Sequence, residues 1–153
     1  KNTVISDNPS LTVRHVRGKN PIRVILDKNL EVPSNLNVFN QQSPTIILNS
    51  LKEEVENEYL RFVKIDFSEG ILTEVADRLY QLGIQSVLVE GGAILLESLL
   101  KKELWDEVVV IENPLLFFKN GIKAPEINLK TAEKELGNDR IFRFLAANGQ
   151  NPI

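Results

Sequence analysis

The sequence predicts an α/β fold: a largely parallel sheet covered by helices. Three observations carry that expectation. Short apolar runs at 22–27 (IRVILD), 45–49 (TIILN) and 86–90 (SVLVE) are too continuous for strands with one wet face, and they read as strands buried on both faces. Between residues 60 and 112 the pattern alternates strand, helix, strand, helix, strand, which is how parallel sheets are built. The chain has 153 residues, 42% hydrophobic and 25% charged, enough for a single domain over 1–153 with its own core.

Taken in order, the first residues carry turn chemistry. Asp7-Asn8-Pro9 is a turn signal, and a residue before proline is pushed away from helical geometry. An opening in the middle of such a segment leads us to expect a further strand and helix preceding Lys1. IRVILD and TIILN follow as buried strands, separated by a polar loop at 28–44. LRFVKID (60–66) alternates as a strand. In ILTEVADRLYQLG (71–83), Ile71, Leu72, Val75, Ala76, Leu79 and Leu82 share one helical face, with Ser68 expected as N-cap and Gly83 as the stop. After SVLVE, AILLESLLKK (93–102) predicts a second helix, with Lys101 and Lys102 where cations suit the helix dipole. DEVVVIEN (106–113) and RIFRFLAA (140–147) predict strands, and 114–139 reads as irregular, broken by Pro114, Gly121, Pro125 and Gly137. Two strands with little helix between them imply that the sheet ends in antiparallel pairs.

Composition narrows the function. The net charge is −3 with no basic block, which argues against nucleic acid as a partner. No apolar run approaches the roughly 18 residues of a membrane span. The absence of cysteine removes disulfides, thiolate metal sites and cysteine nucleophiles, and fits a cytoplasmic protein. A lone histidine, His15, argues against a histidine metal cluster, so no metal site is expected. The chemistry must use carboxylates, hydroxyls, backbone groups or a bound cofactor.

The motif with most chemical content is VEGGAILLES (89–98). In open α/β sheets ligands bind beyond the carboxyl ends of strands. Glycines there allow close backbone approach, and a helix N-terminus that follows offers unpaired N–H groups to a phosphate. A plain tight turn is the competing reading. The motif is not a GxGxxG fingerprint, so a regular dinucleotide-binding fold is disfavoured. Glu90 follows an apolar run that would draw it toward the sheet interior, where a carboxylate needs a partner.

NTVISDNPSLTVR (2–14), NPIRVILD (20–27) and SVLVEGGAILLESLLKKELWDEV (86–108) together resemble the reductase domain of the bifunctional riboflavin-biosynthesis deaminase/reductase. The resemblance runs through nearly the whole chain. It implies a dihydrofolate-reductase-like three-layer fold, with a mostly parallel central sheet, antiparallel C-terminal strands and helices on both faces. It also implies an NADPH-dependent oxidoreductase that reduces a phosphorylated ribosylaminopyrimidine to its ribityl form by hydride transfer to the first sugar carbon of the ring-opened imine. By position, Thr3, Asp7 and Lys28 correspond to cofactor-binding residues, as do Gly92, Ala93, Ile94, Leu95, Leu96, Glu97 and Ser98. Leu11, Arg14 and Glu90 correspond to substrate-binding residues. Arg17 and Arg23 are weaker anion candidates, Arg23 because it enters a strand. No catalytic residue or proton donor is assigned. The zinc deaminase partner domain needs cysteines that this chain lacks, so it would be fused elsewhere in the full-length protein, and a homodimer is expected. Two other functions stay open: a dihydrofolate-reductase-like reductase of another substrate, and a non-catalytic nucleotide-binding domain.

Overall fold

The structure, a computed structural model, describes residues 1–117, 119–127 and 134–146. The chain divides into two units, Lys1–Val87 and Leu88–Ile153.

The first unit is built on a four-stranded sheet. Its strands are β1 (Arg23–Leu26), β2 (Thr45–Asn49), β3 (Glu54–Asn57) and β4 (Leu60–Lys64), in the order β1-β2-β4-β3. β1, β2 and β4 run parallel, while β3 pairs antiparallel with β4. Register places Ile25, Ile47 and Phe62 in one row across the sheet, and Leu26, Leu48 and Val63 in the next. Successive rows point to opposite faces, so both faces need cover. One face receives Val4 of α1 (Asn2–Asp7) together with Val32 and Val38 from the segment after β1. The other receives Leu79, Val75 and Ile71 of α2 (Ile71–Gln81). A sheet sandwiched in this way explains why all five residues of β2 are buried.

Local chemistry sets the boundaries. α1 ends at Asp7 because Asn8, before Pro9, adopts left-handed geometry at φ 44° and donates its N–H to the Val4 carbonyl. α2 ends where expected, with Gly83 at φ +79°. Its start differs: Gly70, not Ser68, is the N-cap, because the Ser68 hydroxyl bonds Asp66 at 2.8 Å. β3 was not expected. Its EVEN sequence is wholly exposed and has a single apolar residue, Val55, and it forms because β4 offers it a free edge. The loop expected at 28–44 contains a single 3₁₀ turn at Asn37–Phe39 and buries Val32 and Val38.

The second unit contains α3 (Ala93–Lys101), β5 (Glu107–Glu112), β6 (Lys134–Leu136) and β7 (Asp139–Leu145). Its sheet is antiparallel, in the order β5-β7-β6, as expected for the C-terminal strands. β6 falls inside the stretch read as irregular, and the expected end of the last strand at Ala147 lies outside the described residues.

A further expectation fails at the third apolar run. Residues 86–90 pair with no strand among the described residues, and Val87 and Leu88 are 52% and 84% exposed. An apolar run becomes a buried strand only when a sheet edge accepts its N–H and C=O groups. This run instead spans the boundary between the two units.

Candidate functional site

In the first unit the expected residues lie on α1, in the segment after it and just beyond β1. Thr3 is half-buried on α1, whereas Asp7 is exposed at its end. Leu11 has φ +48°, an unfavourable backbone for a branched side chain, and packs against the cluster of Val4, Ile25 and Ile47. Arg14 is exposed, as is His15. Lys28 follows β1 at the carboxyl end of the parallel strands. It is exposed, forms no ion pair among the described residues, and lies 5.9 Å from the Phe67 ring centre. An uncommitted cation at a strand's carboxyl end suits an anionic ligand group.

Two buried polar residues stand beside these. Asp27 is 1% exposed; its Oδ2 accepts the Val32 N–H at 2.8 Å, and its Oδ1 has no partner among the described residues. Arg23 is 2% exposed and donates to Ser10, Asn37, Asn40 and Ser43. Burial lowers the pKa of its guanidinium. Arg23 is thus a buried brace rather than an anion ligand. The signal for that role is its place at the first position of a strand buried on both faces, where a long cation can only turn back onto backbone carbonyls.

In the second unit, Gly92 is the N-cap of α3. It lacks a side chain to cap the helix, and its carbonyl accepts the Leu95 and Leu96 N–H groups at 3.0 and 3.2 Å. The first amides of α3 are therefore available to a ligand. A Cβ at Gly91 would lie 2.8 Å from Leu95 Cδ2, so a side chain there would displace the tip of Leu95. Of the expected cofactor segment, Ala93, Leu95 and Leu96 are half-buried and Ile94 is 80% exposed. Glu97 pairs with Lys101 at 2.9 Å, and Ser98 Oγ donates to the Ile94 carbonyl at 2.7 Å within its own helix. Glu90 is exposed, not drawn inward, because the run before it is not buried. A concavity of about 480 Å³ lies between α3 and the Lys123–Glu126 segment, and ion pairs of both signs line it. Among the described residues no group of histidine, aspartate and glutamate could hold a metal ion. No helix among them is long and apolar enough to cross a membrane.

Taken separately, the α3 N-terminus in the second unit suits an anionic group such as a phosphate, and the Lys28 ammonium in the first unit suits an anion of its own.

The family model described as the RibD C-terminal domain matches residues 1–125. The riboflavin biosynthesis protein RibD of Aquifex aeolicus is 36% identical over 94% of this chain and 44% of its own length. A 2,5-diamino-6-ribosylamino-4(3H)-pyrimidinone 5′-phosphate reductase from the same organism is 38% identical over 74% of this chain and 54% of its own length. The chain thus spans about half the length of these curated relatives. Among solved structures, a Thermotoga maritima deaminase/reductase superposes with a TM-score of 0.71 at 24% identity, covering 93% of this chain and 42% of that one. A riboflavin biosynthesis reductase from yeast gives 0.72 at 20% identity, covering 95% and 72%. At these identities the two structures establish the dihydrofolate-reductase-like α/β fold.

Proposed function

The chain belongs to the RibD C-terminal domain family, and from that premise we propose that it is a reductase domain of riboflavin biosynthesis. Its substrate is 5-amino-6-(5-phosphoribosylamino)uracil, reduced to the ribitylamino compound. NADPH supplies the hydride, which goes to C1′ of the sugar in its ring-opened imine form. The protein's own part is binding, orientation and charge stabilisation. The observation that carries this reading is the α3 N-terminus: a helix opening on Gly91-Gly92, without a side-chain cap, in the segment that by its resemblance corresponds to the cofactor-phosphate cradle.

The remaining roles follow by position. Thr3 and Asp7 face the nicotinamide, Lys28 takes the 2′-phosphate, and Gly92 through Ser98 take the pyrophosphate. Arg14 takes the substrate's 5′-phosphate, with Leu11 and Glu90 lining the pyrimidine and sugar. The exposed Arg14 guanidinium favours a phosphorylated substrate over an uncharged pterin. The full-length protein carries a fused zinc deaminase domain, a reading supported by the RibD relative, of which this chain covers 44%; a cytoplasmic homodimer is part of the same proposal.

The test mixes full-length protein with NADPH and the deaminated ribosylaminouracil phosphate. Stoichiometric NADPH consumption and a calorimetric binding signal for NADPH are expected. Absence of both overturns the reading.

A further inference from the structure

Arg23 is the most deeply buried cation of the first unit, and no carboxylate pairs with it among the described residues. Its Nη1 donates to the Ser10 carbonyl at 3.3 Å, the Asn37 carbonyl at 2.8 Å and Asn40 Oδ1 at 3.0 Å, while Nη2 donates to the Ser43 carbonyl. Three of these acceptors belong to the 37–43 segment and one to the 8–14 segment. A single buried guanidinium therefore joins two stretches that are remote in sequence.

Two further stitches join the same stretches. Asn8 Oδ1 accepts the Asn37 N–H at 2.7 Å, and Asn37 Nδ2 donates to the Asn8 carbonyl at 2.9 Å. Asn20 Oδ1 accepts the Val13 N–H at 3.1 Å, and Asn20 Nδ2 donates to the Gln42 carbonyl at 3.1 Å. The held backbone is unfavourable by itself, with Asn8 at φ 44° and Leu11 at φ 48°. Such geometry persists only where the surroundings over-determine it. The stitches supply that constraint along the backbone that leads to Arg14.

We propose that Arg23 is a positioning residue: with Asn8, Asn37 and Asn20 it holds the 8–14 segment in the shape that presents Arg14 to a ligand's phosphate, without touching the ligand itself. The phosphate's identity as the substrate's 5′-phosphate rests on the function proposed above. The role requires arginine. Its planar fork reaches several carbonyls at once, whereas a lysine ammonium keeps the charge but not the fork.

The test compares wild type, Arg23→Lys and Asn20→Ala in the full-length protein. Amide hydrogen exchange is followed at residues 10–14 and 37–43, and KM is measured for the phosphorylated substrate and its dephosphorylated analogue. Both variants should speed exchange at 10–14 by about tenfold, the scale of losing one or two hydrogen bonds to a charged or buried group, and leave β2 and β4 protected. KM for the phosphorylated substrate should rise by a similar factor, with little change for the analogue or for NADPH affinity. Unchanged exchange at 10–14 overturns the positioning role whether or not the protein reduces this substrate. Faster exchange with equal KM changes for both substrate forms overturns the link to a phosphate. Should Arg23→Lys fail to fold, the exposed Asn20→Ala decides by the same readouts. A wild type that never turns over this substrate defeats the proposed function alone, and the exchange measurement still decides the clamp.

Discussion

The two units of this chain bury their residues very differently. In the described residues, every buried hydrophobic side chain lies in Lys1–Val87 except Phe142. The first unit has a sheet covered on both faces and buried polar side chains that bond backbone groups: Arg23, Asn49 and Thr45. The second unit leaves Ile94, Val109, Ile111, Leu115, Leu116 and Phe117 more than half exposed, and α3 has no buried residue. Apolar burial is the main favourable term in folding. The first unit therefore carries most of the stability, while the second owes its order chiefly to the β5-β7-β6 ladder.

The largest effect should come from Ile47→Ala. It removes a side chain 1% exposed at the centre of the sheet and should cost about 2–5 kcal/mol in urea unfolding. Val109→Ala, at a position 52% exposed on β5, should cost below about 1 kcal/mol. Trp105, the single tryptophan, lies in the second unit, so its fluorescence follows the unfolding of that unit. Equal costs for the two substitutions would break the comparison.

Asn49→Ala comes next. The Asn49 amide donates to the Ile47, Lys52 and Val63 carbonyls and accepts the Leu51 and Lys52 N–H groups at 2.8 Å each. Alanine would strand several of these groups, at about 1–3 kcal/mol. A midpoint shift within error would show that water reaches the end of β2 and that this end is not part of the rigid core.

A smaller effect concerns the first unit's proposed ligand contact. If Lys28 takes the 2′-phosphate, Lys28→Gln should weaken NADPH binding by about 1 kcal/mol, or roughly fivefold. NADH affinity should not change. Parallel losses for both cofactors in calorimetry would remove Lys28 from this role.

The smallest effect concerns pH. Burial pushes Glu53 up, but the Lys64 N–H and the Arg78 and Arg61 guanidiniums outweigh it and hold the carboxyl below its ordinary 4.5. A carboxyl lowered in the folded state stabilises above its unfolded value, and that contribution is lost as pH falls through the folded value. The first unit should therefore lose a little stability below about pH 4.5, and Arg78→Ala should flatten that loss. Since Glu53 is half exposed, screening keeps the effect small. A pH slope identical in Arg78→Ala and wild type would exclude this pair as its source.

Much of the architecture was legible in the residues. TIILN is a strand at its expected bounds, and the apolar face of 71–83 became α2 against the sheet. The Asp7-Asn8-Pro9 turn, the Gly83 stop and the antiparallel C-terminal pairing also stand. Apart from that pairing, which followed from two strands with little helix between them, these are local signals: periodicity, positive-φ tolerance and missing N–H donors act within a few residues. The glycine pair before α3 was legible for the same reason.

What only the tertiary structure decided depends on partners remote in sequence. EVEN became β3 because β4 offered an edge, and SVLVE formed no strand because no described strand paired with it. Arg23 looked like a weak anion candidate and proved to be a buried brace, because its acceptors lie 13 to 20 residues away. Hydrophobic pattern determines which residues must leave water. Which backbone groups and which neighbours receive them is set by long-range hydrogen bonding, and no window of sequence contains both ends of those bonds.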